Sequence, residues 1–560
     1  MRGLFRSNRI VAIAATAWAL ALFTAAPRAT DQQRPAATSA NAHRDLSLFT
    51  HSDDCVACHN NLSAANGEDV SIGASWRSTI MAHSSRDPYW QASVRREAID
   101  HPSRSADIQD ECAACHMPMP RRIAHAAGAK GEVFSHLPIA RDQSALQRLA
   151  GDGVSCTVCH QIAADGLGTR DNFNANFLIK PPLPNGMRVI YGNYEVDPGR
   201  RRIMHSVTGF QQEAAPHIKQ SELCATCHTL ITQAFGPDGA VIGELHEQMN
   251  FQEWQHSDYA KIDQRSCQSC HMPSVAGPIR IASVLGDERD SLARHSFVGG
   301  NAHMLRLLNR FRNELGVTAP ASELEATAST TIRQLQQDTA TIRVSAPQLA
   351  SGRLAFDVEV TNLTGHKFPT GYPSRRAWLH VTVRDARGRI AFESGAITDA
   401  ASITGNDNDR DAAAYEPHYE EISSADQVQI YESIIGDRAG AVTTGLLTAT
   451  QYLKDNRLLP RGFDKATAAP EIGVFGAAST DRDFAGGGDR VRYRMPVSGD
   501  GPHRVEVELR YQSIGFRWAS NLEPIKADEA ARFVSYYKAT AAGSSVVVAA
   551  ATVTVESRTP

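Results

Sequence analysis

The chain has 560 residues, a formal net charge of −4 at pH 7 and 21% charged residues. Binding to nucleic-acid phosphates requires a basic face, so this charge balance argues against a nucleic-acid partner. The length is sufficient for two domains, and the pattern of residues changes near the middle of the chain.

Residues 1–29 are predicted to be a secretory signal peptide. Three arginines within the first nine residues precede an apolar run from Ile10 to Phe23, and small residues follow. This is the order found in cleaved export signals. The run is too short to span a bilayer with ease, so an uncleaved anchor is the less favoured alternative. Residues 30–43 are predicted to be a flexible tail, and the mature chain is expected to be periplasmic or extracellular, without a transmembrane span.

Residues 44–310 contain five copies of the pattern C-x-x-C-H, which together use all 10 cysteines of the chain. The two thiols of such a motif can form thioethers with one haem, and the adjacent histidine then binds the iron. A zinc site or a thioredoxin-like pair fits five such copies poorly. We therefore predict five covalently bound haem c groups. The thioether residues are Cys55, Cys58, Cys112, Cys115, Cys156, Cys159, Cys224, Cys227, Cys267 and Cys270. The proximal iron ligands are His59, His116, His160, His228 and His271.

The ligand on the opposite face of each iron decides what the haem can do. A second ligand saturates the iron for electron transfer, whereas an open face can bind substrate. The chain has 21 histidines, enough for a second histidine at every iron. The favoured distal candidates are His83, His136, His205, His295 and His366, each with a hydrogen-bonded structural histidine as its alternative. Less favoured are His51, His101, His125, His217, His246, His256 and His303.

The fold expected for residues 44–310 is a loop-rich α cytochrome domain. Short helical patches such as DPYWQASVRREAI (87–99) and MLRLLNRFRNEL (304–315) are separated by loops. Porphyrins would supply much of the core, so long amphipathic elements are not required. Residues 311–330 are predicted to form a helical linker.

Residues 331–560 show a different pattern. Segments such as RLAFDVEVTNL and HRVEVELRYQ alternate apolar and polar residues between Gly, Asn and Asp turns, which predicts a mainly-β antiparallel sandwich with insertions. His366 lies on a loop between two of these predicted strands, from which it could cap a haem. Asp407, Asp409 and Asp411 match the start of a calcium loop, although a solvated acidic loop is favoured because the glycine and distal glutamate are missing.

Several segments resemble the multihaem cytochrome c superfamily, which includes pentahaem nitrite reductase, octahaem hydroxylamine oxidoreductase and small tetrahaem carriers. They include WRSTIMAHSSRDPYW, GVSCTVCHQI, SELCATCHTL and RHSFVGGN. TGHKFPTGYPSRRAWLHV is similar to a β domain appended to many exported multihaem cytochromes. The resemblance covers nearly the whole mature chain and implies haem binding and electron transfer. Pentahaem nitrite reductases typically carry Lys in place of one proximal histidine, and all five motifs here end in His, so that activity is disfavoured.

The favoured function is an exported pentahaem carrier that transfers electrons through mostly bis-histidine haems. Two alternatives are an oxidoreductase that uses one open haem on a small nitrogen or sulfur compound, and a filament-forming structural cytochrome. The expected partners are redox proteins or membrane quinol-linked complexes. No catalytic residue is predicted.

Overall fold

The computed structural model describes residues 47–139, 144–498 and 502–556. The predicted signal peptide and flexible tail, residues 1–43, lie outside these ranges. Within the described ranges, no helix is both long enough and apolar enough to cross a membrane.

Residues 47–139 and 144–338 form short helices joined by long loops. The helices are α1 (Ser52–Val56), α2 (Ile72–Arg77), α3 (Pro88–Asp100), α4 (Ser105–His116), α5 (Pro118–Ala126), α6 (Ala145–Gly151), α7 (Cys156–Cys159), α8 (Pro198–Thr208), α9 (Ser221–His228), α10 (Asn250–Gln255), α11 (Asp258–Lys261), α12 (Cys267–His271), α13 (Ala302–Arg310) and α14 (Ala321–Asp338). Helix α3 shows how the sequence sets such a boundary. The Asp87 side chain accepts hydrogen bonds from the backbone N–H groups of Tyr89 and Trp90, and Pro88 occupies the first turn.

This half also contains three two-stranded sheets that the sequence pattern did not predict. They are the parallel pair β1 (Arg188–Gly192) and β2 (Phe210–Ala214), and the antiparallel pairs β3 (Thr229–Phe235) with β4 (Val241–Met249) and β5 (Ser274–Arg280) with β6 (Glu288–Ala293). The antiparallel ladders contain register shifts. A bulge interrupts the alternation of side chains between the two faces, so the period-two signal is lost.

The second half is mainly β, as predicted. Its strands are β7 (Ala340–Ala350), β8 (Arg353–Asn362), β9 (Arg376–Arg384), β10 (Ile390–Ser394), β11 (Glu421–Ile422), β12 (Ile430–Gly436), β13 (Val442–Thr443), β14 (Gln451–Asp455), β15 (Gly488–Pro496), β16 (His503–Gln512) and β17 (Ser545–Val555). One sheet runs β13-β12-β9-β16-β17, with β10 beside β9 and β14 beside β12, and the other runs β11-β15-β8-β7. Most pairs are antiparallel, but β11 and β15 are parallel.

The two large sheets contribute to one hydrophobic core. Val358 on β8 and Tyr493 on β15 lie in the same buried cluster as Val381 on β9 and Val507 on β16. Along β15, buried and exposed residues alternate, as expected for a strand with one face in a core. The hydrophobic effect of burying these inner faces is what holds the two layers together.

Helices α15 (Asp407–Arg410), α16 (Phe516–Ser520) and α17 (Asp528–Thr540) are inserted between the strands of this half. Helix α17 packs against α3 of the first half, with Phe533 and Tyr89 in one buried cluster. Arg95 and Glu529 form an ion pair of 2.9 Å at this contact. The two halves therefore share a core.

Helix α14 continues to Asp338, beyond the linker boundary predicted at residue 330, and the first strand of the β half begins at Ala340.

Candidate haem-binding centres

Each C-x-x-C-H motif lies on a short helix or at its end. Helices α4 and α9 end at the motif histidines His116 and His228, and α12 consists of one motif, Cys267–His271. Residues i, i+3 and i+4 lie on one face of a helix, so the two thiols and the imidazole point to the same side. All ten cysteines are free of disulfide bonds. This arrangement fits two thioether bonds and one proximal iron ligand on one haem.

Four of the five motif histidines are oriented by the same kind of hydrogen bond. In each, Nδ1 lies close to a backbone carbonyl: His59 to Ile281 at 2.6 Å, His116 to Ser84 at 3.0 Å, His160 to Tyr191 at 2.6 Å and His271 to Val298 at 2.5 Å. An Nδ1–H that donates to a carbonyl leaves the lone pair on Nε2, where a metal can bind. The carbonyl acceptors come from distant segments, and no signal in the sequence could have identified them.

Two of the predicted distal histidines lie opposite a motif histidine. The ring centroids of His160 and His295 are 6.4 Å apart with 17° between the ring planes. Those of His271 and His366 are 6.2 Å apart with 9° between the planes. The structure therefore brings together residues far apart in the chain, in the second case across the boundary between the two halves.

The spacing of these pairs fits one metal ion between the two rings. Two imidazole nitrogens bound on opposite sides of one ion, at about 2.0–2.1 Å each, place the ring centroids roughly 6 Å apart. The distal rings are also oriented by Nδ1, which donates to Ala293 O at 3.0 Å in His295 and to Lys367 O at 2.9 Å in His366. Both rings of each pair thus have Nε2 free for a ligand role.

His83 is the most deeply buried of the other distal candidates, with 2% of its surface exposed. Burial lowers its pKa to about 3. In the described part of the chain, neither ring nitrogen makes a hydrogen bond of ordinary geometry, and the only backbone group that acts on the ring is that of Arg77. Buried polar groups nearly always have a partner, so a group not made of protein atoms is expected at this ring. Two residues before His83, the carbonyl of Met81 accepts the N–H of Val154 at 3.0 Å. Val154 lies two residues before the third motif.

His205 and His136 lie in different settings. Nδ1 of His205 is buried without a hydrogen-bond partner among the described residues, and its helix α8 packs against α1, which carries Cys55. His136 is buried, and its Nδ1 lies 2.9 Å from Gln147 Oε1. The less favoured histidines all contact protein groups: His51 with Asp152, His101 with Thr448, His125 with Asp110, His217 with Ile162 O, His246 with Glu244, His256 with Asp464 O and His303 with Thr540.

The motifs lie next to one another. The Cys55 thiol lies close to that of Cys156 and raises the pKa of Cys156. In the same way, Cys227 raises the pKa of Cys115, and Cys267 raises that of Cys224. Burial, with a smaller effect of the nearby Cys227 thiol, raises the pKa of Cys159 to about 12. The fourth motif is therefore close to the second, third and fifth, and the first motif is close to the third.

Near the second motif lie acidic groups that could not be assigned to it from the sequence, and the aromatic side chain of Trp90. Burial raises the pKa of Glu97 and Glu111 to about 7 and that of Glu247 to about 8. All three carboxyl groups lie near the Cys112 thiol, whose pKa is raised first by burial and then by their charges. Trp90 stacks on the imidazole of His116, with centroids 4.4 Å apart and 2° between the planes. These carboxyl groups therefore keep their protons to higher pH than an exposed glutamate does.

The structure does not support the calcium loop, which was the less favoured interpretation of Asp407, Asp409 and Asp411, and the buried Asp409 does not fit the favoured solvated loop either. Asp409 is buried and pairs with Arg376 through contacts of 2.7 and 3.0 Å. Asp407 pairs with Arg410, and Asp411 accepts the Ala413 N–H at 2.9 Å. The three carboxyl groups have separate partners, so they do not converge on a cation.

One other group of ligand-type side chains lies together among the described residues, in the β half: His418, Asp481 and Asp489. The amide nitrogens of Gln429 and Asn456 donate to His418 Nδ1 at 2.8 and 3.1 Å. The ring proton therefore lies on Nε2, which donates to Asp481 at 2.9 Å. This pattern is that of a closed hydrogen-bond network, because a metal ligand would need its Nε2 lone pair.

Neither a protein-family model nor a curated protein sequence matches the chain. Among solved structures, the chain is similar to a penta-heme cytochrome c552 from Thermochromatium tepidum. The TM-score is 0.49 and the sequence identity 17%, and the alignment covers 91% of this chain and 100% of that chain.

Proposed function

We propose that the chain is an exported pentahaem c-type cytochrome that carries electrons. The observation that carries this proposal is the two pairs of facing histidines at the third and fifth motifs, His160 with His295 and His271 with His366. Each pair has the spacing and ring orientation of two ligands to one iron. Saturating an iron from both sides favours electron transfer over substrate binding.

In this proposal the ten cysteines hold five haems, and the five motif histidines are the proximal ligands. His295 and His366 are the distal ligands at the third and fifth irons. His83, His136 and His205 supply the distal ligands for the irons of His59, His116 and His228. His83 is the best supported of these three because both its ring nitrogens are buried without a hydrogen bond of ordinary geometry in the described ranges.

The arrangement of the motifs supports transfer within the chain. A c-type haem, when bound, supplies an iron that takes up and releases single electrons. The thiol contacts place the motifs side by side, with the fourth next to three others. The residues of the chain thereby hold neighbouring centres at short range. The β half has a direct part in this function, since it supplies His366.

A second candidate function is favoured by the surroundings of the second motif. Glu97, Glu111 and Glu247 are buried near Cys112, and their pKa values are raised to about 7 or 8. A general acid works best when its pKa is near the working pH. If the second iron has an open face, these groups could deliver protons to a small nitrogen or sulfur compound bound there.

Optical and EPR spectra of the purified mature holoprotein test the two candidates. The carrier proposal expects five low-spin ferric haems that do not change on addition of nitrite, hydroxylamine or sulfite. A high-spin haem that binds one of these compounds would favour the oxidoreductase. Replacement of Glu247 with Gln should then reduce the reaction rate, whereas it should leave the spectra of a pure carrier unchanged.

A further inference from the structure

The loop that carries His366 is attached to both halves of the chain by four buried charges. They belong to Lys367, Asp455, Arg457 and Glu253, which are 0%, 2%, 7% and 0% exposed. Lys367 Nζ lies 2.7 Å from Asp455 Oδ2, Arg457 Nη2 lies 2.7 Å from the same oxygen, and Arg457 Nη1 lies 3.0 Å from Glu253 Oε1. The two cations balance the two carboxylates, so the group carries no net charge into the interior.

Lys367 is fixed by its backbone as well as by its side chain. Its Nζ also donates to Gly473 O at 2.8 Å, and its backbone N–H donates to Glu253 Oε2 at 3.1 Å. The hydroxyl of Thr370 donates to the same Glu253 oxygen at 2.6 Å. Glu253 belongs to helix α10 of the first half, whereas Asp455 ends β14 of the second half. The backbone of Lys367 is therefore fixed relative to both halves.

Two groups lie near Nδ1 of His366, and the carbonyl of Lys367, at 2.9 Å, is closer than the hydroxyl of Thr364 at 3.4 Å. The carbonyl accepts the Nδ1–H of His366, and the ring plane lies within 9° of that of His271. The last side-chain torsion of histidine has broad energy wells, so the ring needs such a bond to keep one plane. The bond can hold the ring only if the carbonyl itself does not move.

On the basis of the proposed role of His366 as a distal ligand, we propose that Lys367 is a positioning residue for the fifth haem. Together with Glu253 and Asp455, it sets the plane of the His366 ring and keeps the ring bound to the iron. Burial of ion pairs is weak evidence for a gain in stability, because the desolvation cost can exceed the attraction between the charges. The network instead holds the backbone of Lys367 against both halves of the chain and so fixes the orientation of the His366 ring. Outer groups orient metal-binding histidines in the same way.

EPR spectroscopy of the oxidised holoprotein tests this role, because the g-values of a bis-imidazole iron depend on the angle between the two ring planes. Nearly parallel rings give a rhombic low-spin signal. In Lys367→Met, we expect this signal to lose an intensity equivalent to about one fifth of the haem. Lys367→Arg should retain the original signal by preserving the cation. The matched control is Lys454→Met, which removes an equally buried lysine that pairs with Glu432 at 3.0 Å.

The proposal is overturned if Lys367→Met gives the spectrum of the unmutated protein, or if Lys454→Met gives the same change. If Lys367→Met does not accumulate as holoprotein, Glu253→Gln provides the second variant, and an unchanged spectrum there has the same meaning. His366→Ala distinguishes the two levels of the proposal. If all five haems stay low-spin in His366→Ala, the ligand role itself is wrong. If His366→Ala alters one haem and the Lys367 and Glu253 variants alter none, only the positioning role is wrong.

Discussion

Replacement of His295 with Ala is expected to convert one haem to a high-spin state. The ring of His295 lies 6.4 Å from that of His160, and its Nδ1 donates to Ala293 O, so Nε2 is the atom that would bind the third iron. Alanine removes this nitrogen and leaves His160 as the sole imidazole of the pair. With five motifs in the chain, the change should affect about one fifth of the haem and leave the other four-fifths low-spin.

The assay is the high-spin ferric EPR signal, quantified against total haem, together with the long-wavelength charge-transfer band in the optical spectrum. Added imidazole should reverse both changes by occupying the open face. His303→Ala is the control. His303 is also buried, but its Nε2 forms a hydrogen bond of 2.9 Å with the hydroxyl of Thr540. Spectra of His295→Ala that match the unmutated protein would refute the pairing of His295 with His160.

Three other outcomes can be measured. Acid-denatured mature protein should carry five haem masses, and a Cys267→Ala/Cys270→Ala variant should carry four; any other difference contradicts the assignment. Because the folded pKa of Glu247, about 8, lies above its usual 4.5, the folded state binds the proton more tightly, and stability should fall as pH rises between these values. Glu247→Gln should flatten this dependence in denaturant titrations at pH 6 and pH 8.5, and an unchanged slope would count against the buried acid. Phe533→Ala should cost about 3–5 kcal/mol, and since Phe533 packs on Tyr89, haem absorbance and far-UV circular dichroism should shift to the same midpoint. Separate midpoints would contradict the shared core.

The sequence alone predicts those parts of the site whose residues lie close together in the chain. The two thiols and the histidine of a motif lie within five residues, so helical geometry alone predicts that they share a face. His366 was also among the candidates, because Gly365 and Pro369 mark a loop between two strands, and its ring lies opposite that of His271. In the same way, strict alternation along β15 predicted a strand with one buried face.

Features that depend on contacts between distant segments could not be predicted. The partner of Lys367 is Asp455, 88 residues away, and nothing near either residue marks the pair. Of the carboxyl groups around Cys112, those of Glu97 on α3 and Glu247 on β4 come from other elements, which only the tertiary fold brings to this motif. The predicted separation into a cytochrome half and a β half likewise omitted the helix α17, whose partner is α3. Pattern analysis is local, whereas these features depend on long-range packing.

The contact between α3 and α17 also has a consequence for the order in which the protein is made. Arg95 and Glu529 are 434 residues apart, so the face of α3 stays uncovered until almost the whole chain has been synthesised. All five motifs lie before residue 272 and therefore emerge while this face is still open. Non-local contacts of this kind form late in folding. If these thiols bind haem as proposed, attachment could begin before helix α17 covers α3.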